Sequence, residues 1–127
     1  MHNATSSVKR AQKESLYERE LSTLLMRIKL DTPELMPLFI SRVQLSADKG
    51  TCFVFFFVQE GEETFEKLMP TLILFKPSLR KALSTKIPGR YTPELVFKYD
   101  TQFEKQKRIE DILNKLKNED GEEEKPS

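Results

Sequence analysis

The sequence predicts an α+β domain in the order helix, strand, strand, helix, helix, strand, with one further helix at the C-terminal end. Three observations carry this. Apolar residues recur at helical spacing between Tyr17 and Ile28. Two strand-like runs between Phe39 and Val58 flank a polar turn. A proline-entered alternating run, Pro93 to Tyr99, leads directly into a second helical stretch.

Tyr17, Leu21, Leu24, Leu25 and Ile28 fall at i, i+4, i+7, i+8 and i+11, one stripe of a helix. That helix should start near Ser6 or Ser7. It should end before Asp31-Thr32-Pro33, because proline disfavours the helical conformation in the residue before it. Phe39, Ser41, Val43 and Leu45 alternate with Ile40, Arg42 and Gln44 as a first strand. Ala47-Asp48-Lys49-Gly50 is the turn, with Gly50 available for a positive φ, and Thr51–Val58 is the second strand. Past Gly61, a second helix carries Phe65, Leu68, Met69 and Leu72 on one side. Pro70 lies inside it, so a kink, an early start or a division is expected there. A short third helix carries Leu79, Ala82 and Leu83 and is stopped by Pro88-Gly89. The last strand spans Tyr91–Tyr99, with Pro93 near its start, where a missing N–H costs no ladder bond. Asp100 and Thr101 are N-cap candidates for a fourth helix, about Gln102 to Lys117, with Ile109, Ile112, Leu113 and Leu116 on one face.

A chain of 127 residues fits one domain with a modest core. No apolar run approaches the roughly 18 residues that span a bilayer, and the first twenty residues lack the apolar segment of a secretory signal. A single cysteine, Cys52, excludes an intramolecular disulfide, suits a reducing cytoplasm and reads as a small buried hydrophobe. The organisation expected is a flexible N-terminus over 1–6, a domain over 7–117, and an acidic disordered tail over 118–127.

The formal net charge of +1 conceals segregation. Between Leu72 and Lys98 the cations Lys76, Arg80, Lys81, Lys86, Arg90 and Lys98 face Glu94 alone. From Lys117 onward, Lys117 and Lys125 are outweighed by Glu119, Asp120, Glu122, Glu123 and Glu124. A basic body suits a partner made of phosphate. Catalytic chemistry has no such footing. The one histidine, His2, has no partner at useful spacing, and there is no Cys/His set for zinc. Phosphate-cradling Gly-rich loops and nucleophile elbows are equally absent from the sequence. No catalytic residue, metal or cofactor is expected.

Arg90, Pro93, Glu94, Leu95, Phe97 and Asp100, followed by Arg108, Ile109 and Leu113, together resemble the C-terminal signature of ribosome-binding factor A, a bacterial assembly factor of the small ribosomal subunit. Val43-Gln44-Leu45-Ser46-Ala47-Asp48 is similar to that family's strand and Ser-x-Asp turn, and Asp31-x-Pro33-x-Leu35 to its linker. The resemblance covers roughly Leu16 to Leu116 and is weakest between Glu60 and Ile87. The family has a type II KH-like fold, whose element order is the one read above. KH domains usually hold nucleic-acid backbone with a Gly-x-x-Gly loop. This family carries an Ala-x-Gly kink there, and this chain has Phe75-Lys76-Pro77. Proline retains a break by another device, while the close backbone approach to phosphate that glycine would allow is put in question.

Lys76, Arg80 and Lys81 near the start of helix three are the leading RNA-contact candidates, because free N–H groups and the helix dipole already favour an anion there. Lys86 and Arg90 extend this patch, and Lys9, Arg10 and Lys13 form a second cluster. Both compete with a plain reading as solvated cations. Arg108 is expected to pair with Asp100 or Glu94. Phe53, Phe55 and Phe57 share one face of the second strand, which is either covered by the first or last helix, docked on a protein, or stacked on bases.

The resemblance implies a non-enzymatic cytoplasmic factor, monomeric when free and unattached to membrane. Its partners would be the small ribosomal subunit precursor and small-subunit rRNA. It would assist late maturation and 5′-end processing of that rRNA, with particular need at low temperature. The alternatives are a generic KH-like RNA binder and a protein-docking module using the phenylalanine face.

Overall fold

A computed structural model describes residues 2–89 and 91–124. The elements follow in the expected order: α1 (His2–Asp31), a 3-10 turn (Pro33–Leu35), β1 (Phe39–Leu45), β2 (Thr51–Phe57), α2 (Glu62–Ile73), α3 (Lys76–Lys86), β3 (Glu94–Tyr99) and α4 (Thr101–Glu124). They form one sheet with β2 central, antiparallel to β1 and parallel to β3. The antiparallel pair needs only a hairpin. A parallel pair needs a long crossover, and α2 and α3 supply it. This is an α+β, type II KH-like arrangement with an added C-terminal helix.

Strand alternation decides what lies inside. Val43 and Leu45 of β1, Cys52, Val54 and Phe56 of β2, and Leu95 and Phe97 of β3 are all buried. They cluster with Tyr17, Leu21 and Leu25 of α1, Phe65 and Leu72 of α2, and Leu79 and Leu83 of α3. The apolar stripe of α1 is therefore what closes the sheet, and Glu14 fastens it by accepting the Leu45 N–H at 2.7 Å. Cys52 is fully buried. Burial, with the charge of Glu14 adding to it, pushes its thiol up to about 12.

Several local expectations need correction. The positive φ of the β1–β2 turn belongs to Lys49 (φ 61), not Gly50. Asp48 Oδ1 accepts both the Ser46 hydroxyl at 2.6 Å and the Gly50 N–H at 2.9 Å, which fixes the loop so that the left-handed residue falls at 49. Glycine at 50 instead supplies room, since a Cβ there would lie 3.3 Å from Asp48 Oδ1. Pro70 does not divide α2, which is continuous through it. Pro70 and Glu66 are both exposed, so the Glu66 carbonyl that loses its N–H partner faces water. The break between α2 and α3 falls at Leu74–Phe75, with Pro77 in the first turn of α3, where its missing N–H is least costly. β3 starts at Glu94, just after the buried Pro93, and not at Tyr91. Helix ends also differ. α1 starts at His2 because nothing from His2 to Ser7 breaks a helix, and α4 runs on to Glu124 because its Lys and Glu residues are good helix formers.

Candidate nucleic-acid interface

The cations of α3 divide into two kinds. Arg80 is exposed at the surface, yet its guanidinium is committed to the fold. Its Nε donates to the Pro93 carbonyl at 3.2 Å and its Nη2 to the Thr92 carbonyl at 3.0 Å. It thereby pins the chain that enters β3, where Pro93 leaves the backbone without an N–H of its own. Lys76 is half-buried, with its ammonium 5.0 Å from the centre of the Phe97 ring. Lys81 and Lys86 are exposed, and neither ammonium makes a hydrogen bond or ion pair among the described residues. Those two are the cations of this helix available for phosphate. Arg90, expected both in the patch and in the signature, lies outside the described residues.

The N-terminal cluster is also divided by the fold. Lys9 and Lys13, one helical turn apart on α1, line an open cleft of about 370 Å³ together with Gln12, Leu16, Lys49, Ile87 and Pro88. Arg10 is not part of its wall. The Lys13 ammonium sits 3.3 Å from where a Cβ on Gly89 would be, so glycine lets it approach the backbone after α3. Lys49 is a site residue that the sequence does not single out. Its only signal there is a cation at the tip of a short turn, and turn tips are ordinarily solvated.

The open face of the sheet resolves the question posed by the three phenylalanines. Phe57 is buried, ringed by Phe39 at 5.3 Å, Phe103 of α4 at 4.9 Å and Tyr99 at 6.1 Å. Phe53 and Phe55 are half-buried and covered by cations instead of a helix. The Arg42 guanidinium lies 4.0 Å from the Phe55 centroid and the Lys98 ammonium 5.0 Å from that of Phe53. The strip is thus no continuous aromatic platform.

Asp100, the N-cap residue of α4, explains the aspartate of the signature. Its Oδ1 accepts the Phe103 N–H at 3.0 Å, and its Oδ2 accepts the Ser41 hydroxyl at 2.7 Å and Arg42 Nε at 2.9 Å. Burial alone would raise its pKa, but Arg42, Ser41 and the Phe103 N–H hold it below the usual carboxylate value. Arg108 pairs with neither Asp100 nor Glu94. It reaches Glu104 at 3.5 Å, one turn back on the same helix, because Arg42 already occupies Asp100. Beyond Phe103, α4 leaves the core, and Ile109, Ile112, Leu113 and Leu116 are each more than half exposed. The signature residues Leu95 and Phe97 are core, Pro93 is buried and Glu94 is exposed.

Comparison with known proteins adds to this geometry. The family model described as Ribosome-binding factor A matches residues 9–113. Ribosome-binding factor A of Prosthecochloris aestuarii is 32% identical over 124 residues, which covers 95% of this chain and 99% of that relative. The protein of the same description from Halothermothrix orenii is 29% identical over 105 residues, covering 83% and 85%. Among solved structures, the crystal structure of ribosome-binding factor A from Thermus thermophilus superposes with a TM-score of 0.61 at 26% identity, covering 71% of this chain and 94% of that one.

Proposed function

The chain belongs to the ribosome-binding factor A family, and we infer that it binds the immature small ribosomal subunit through small-subunit rRNA. It acts there as a stoichiometric factor in the cytoplasm, free as a monomer, without cofactor or catalytic step. It holds an rRNA conformation during late maturation and 5′-end processing, is most needed at low temperature, and leaves once the subunit is mature. The observation that supports this most is the family match across residues 9–113, on a fold that leaves Lys81 and Lys86 exposed and, among the described residues, without an acidic partner. No helix among the described residues is long and apolar enough to cross a membrane.

Lysines of this kind bind phosphate and carry no base information. The α3 patch is accordingly an anchor, and the shape of the immature rRNA supplies selectivity. Docking on a protein through the phenylalanine strand has less support, because Phe57 is enclosed and Arg42 and Lys98 cover the other two rings.

The test is RNA binding across a salt series. Changing Lys81 and Lys86 together to alanine should reduce the slope of log K against log salt by roughly 1.4, taking about 0.7 per phosphate contact for single strands. The loss should be similar for unrelated RNA sequences. An unchanged slope would remove α3 from the interface.

A further inference from the structure

The cleft between α1 and the end of α3 has features that a solvated surface does not require. Lys9 and Lys13 stand on one face at i and i+4, a spacing at which like charges weaken a helix. A third cation, Lys49, is brought to the same cleft by a turn held in the left-handed conformation at φ 61. Glycine or asparagine adopts that conformation far more readily than lysine does. No carboxylate lines the cleft among the described residues, and none of the three ammonium groups makes an ion pair or hydrogen bond there. Three cations from two separate elements therefore converge uncompensated around one opening.

The floor of that opening is of the opposite character. Leu16, half-buried on α1, and the exposed Pro88 after α3 give its wall apolar surface, backed by Ile87, which is itself almost wholly buried in the core. The volume of about 370 Å³ falls within the range of small-molecule sites, about 300–1,000 Å³. Cations around an apolar floor match a ligand with an anionic end and a flat, weakly polar body. A bare phosphate would leave the floor unused, and an apolar ligand would leave the charges unanswered.

We propose that this cleft seats a nucleotide, with its phosphate among Lys9, Lys13 and Lys49 and its ring on Leu16, Ile87 and Pro88. The nucleotide is either one unit of an RNA strand or a free mononucleotide, since both carry the same chemistry. Where the unit belongs to RNA, the proposal rests on the rRNA-binding reading above. It adds a second anchor to the one on α3, whose Lys81 and Lys86 do not line the cleft.

Nuclear magnetic resonance titration of the full chain tests this with three probes: inorganic phosphate, adenosine 5′-monophosphate and a single-stranded oligoadenylate. The mononucleotide should move the amide signals of Lys13, Lys49 and Ile87 and the methyl signals of Leu16 and Ile87. Phosphate should move only the lysine amides. If the oligonucleotide moves the same signals at lower concentration, the ligand is RNA. If it does not move them while the mononucleotide does, the site takes a free nucleotide. Either result supports the cleft.

Changing Lys9→Ala together with Lys49→Gly should weaken mononucleotide binding about a hundredfold, the scale of losing two charge-assisted hydrogen bonds. Lys49→Gly alone should leave the melting temperature unchanged or higher, because glycine fits the left-handed position. The Lys81/Lys86 variant should leave mononucleotide affinity unchanged, so failure at α3 and failure at the cleft are separable. Two results would overturn the proposal: no response at Leu16 and Ile87 to any nucleotide, or a mononucleotide response abolished by the Lys81/Lys86 variant alone.

Discussion

Arg42 Nε lies 2.9 Å from Asp100 Oδ2, joining β1 to the start of α4 although 58 residues separate them. The contact depends on an irregularity. The register of β1 against β2 shifts between Ile40 and Arg42, which leaves Ser41 free to turn its hydroxyl to Asp100 as well. One buried carboxylate thus caps α4, takes an ion pair and fixes the strand edge. Among the described residues no buried side-chain polar atom lacks a partner.

Asp100→Ala should therefore lower stability by about 2–3 kcal/mol, combining a lost helix cap of about 1 with lost charged hydrogen bonds of about 1.5. Arg42→Ala should cost less, about 1 kcal/mol, because its own charge is partly solvated while Asp100 keeps two donors. Urea unfolding of both variants measures the difference.

The same carboxylate sets an acid limit. Its pKa is held below the unfolded value, so the stabilisation is fully present above about pH 4 and is lost as pH falls through the lower native value. Asp100→Asn should be less stable than the parent chain at pH 7, and the gap should narrow as the pH is taken below about 4. Unfolding at the two pH values checks the sign.

Arg80 and Lys81 are neighbours in sequence with different duties. Arg80→Ala should lower stability by about 1–2 kcal/mol through its two carbonyl contacts, and Lys81→Ala should leave it within about 0.5 kcal/mol. Thermal unfolding of the single variants separates structural from RNA-facing cations before any binding is measured.

Deletion from Asn118 onward should leave the melting temperature nearly unchanged. Phe103 is the last residue packed against the core cluster, and Asn118 and Glu119 are exposed. Removing five acids against one lysine should also tighten RNA binding at low salt, since like charge is withdrawn. A large fall in melting temperature would place the tail against the domain.

Periodicity makes most of this fold legible. The ends of β1 at Phe39 and Leu45 are legible, and burial follows period two from Arg42 to Leu45. The register shift between Ile40 and Arg42, however, leaves Phe39 exposed beside Phe57 and not on the face of Val43 and Leu45 that the alternation assigns it. What escapes the sequence depends on which groups compete for one partner. Asp100 is visible as a cap, but its pairing with Arg42 instead of Arg108 requires the shift at Ser41. Arg80 reads as a surface cation by type, and only the path of Thr92 and Pro93 beside it gives it structural work. The convergence of Lys49 on Lys9 and Lys13 joins distant segments and leaves no local pattern. By alternation Phe57 should share the fate of Phe53 and Phe55, yet Phe103 arrives from α4 to enclose it alone.

The central claim is tested most directly by sedimenting cell extract through a gradient and locating the chain. It should migrate with free small subunits and their precursors, be scarce on translating ribosomes, and move toward the top of the gradient as salt is raised. Recovery mainly with large subunits, or with no ribosomal particle at low salt, would contradict it.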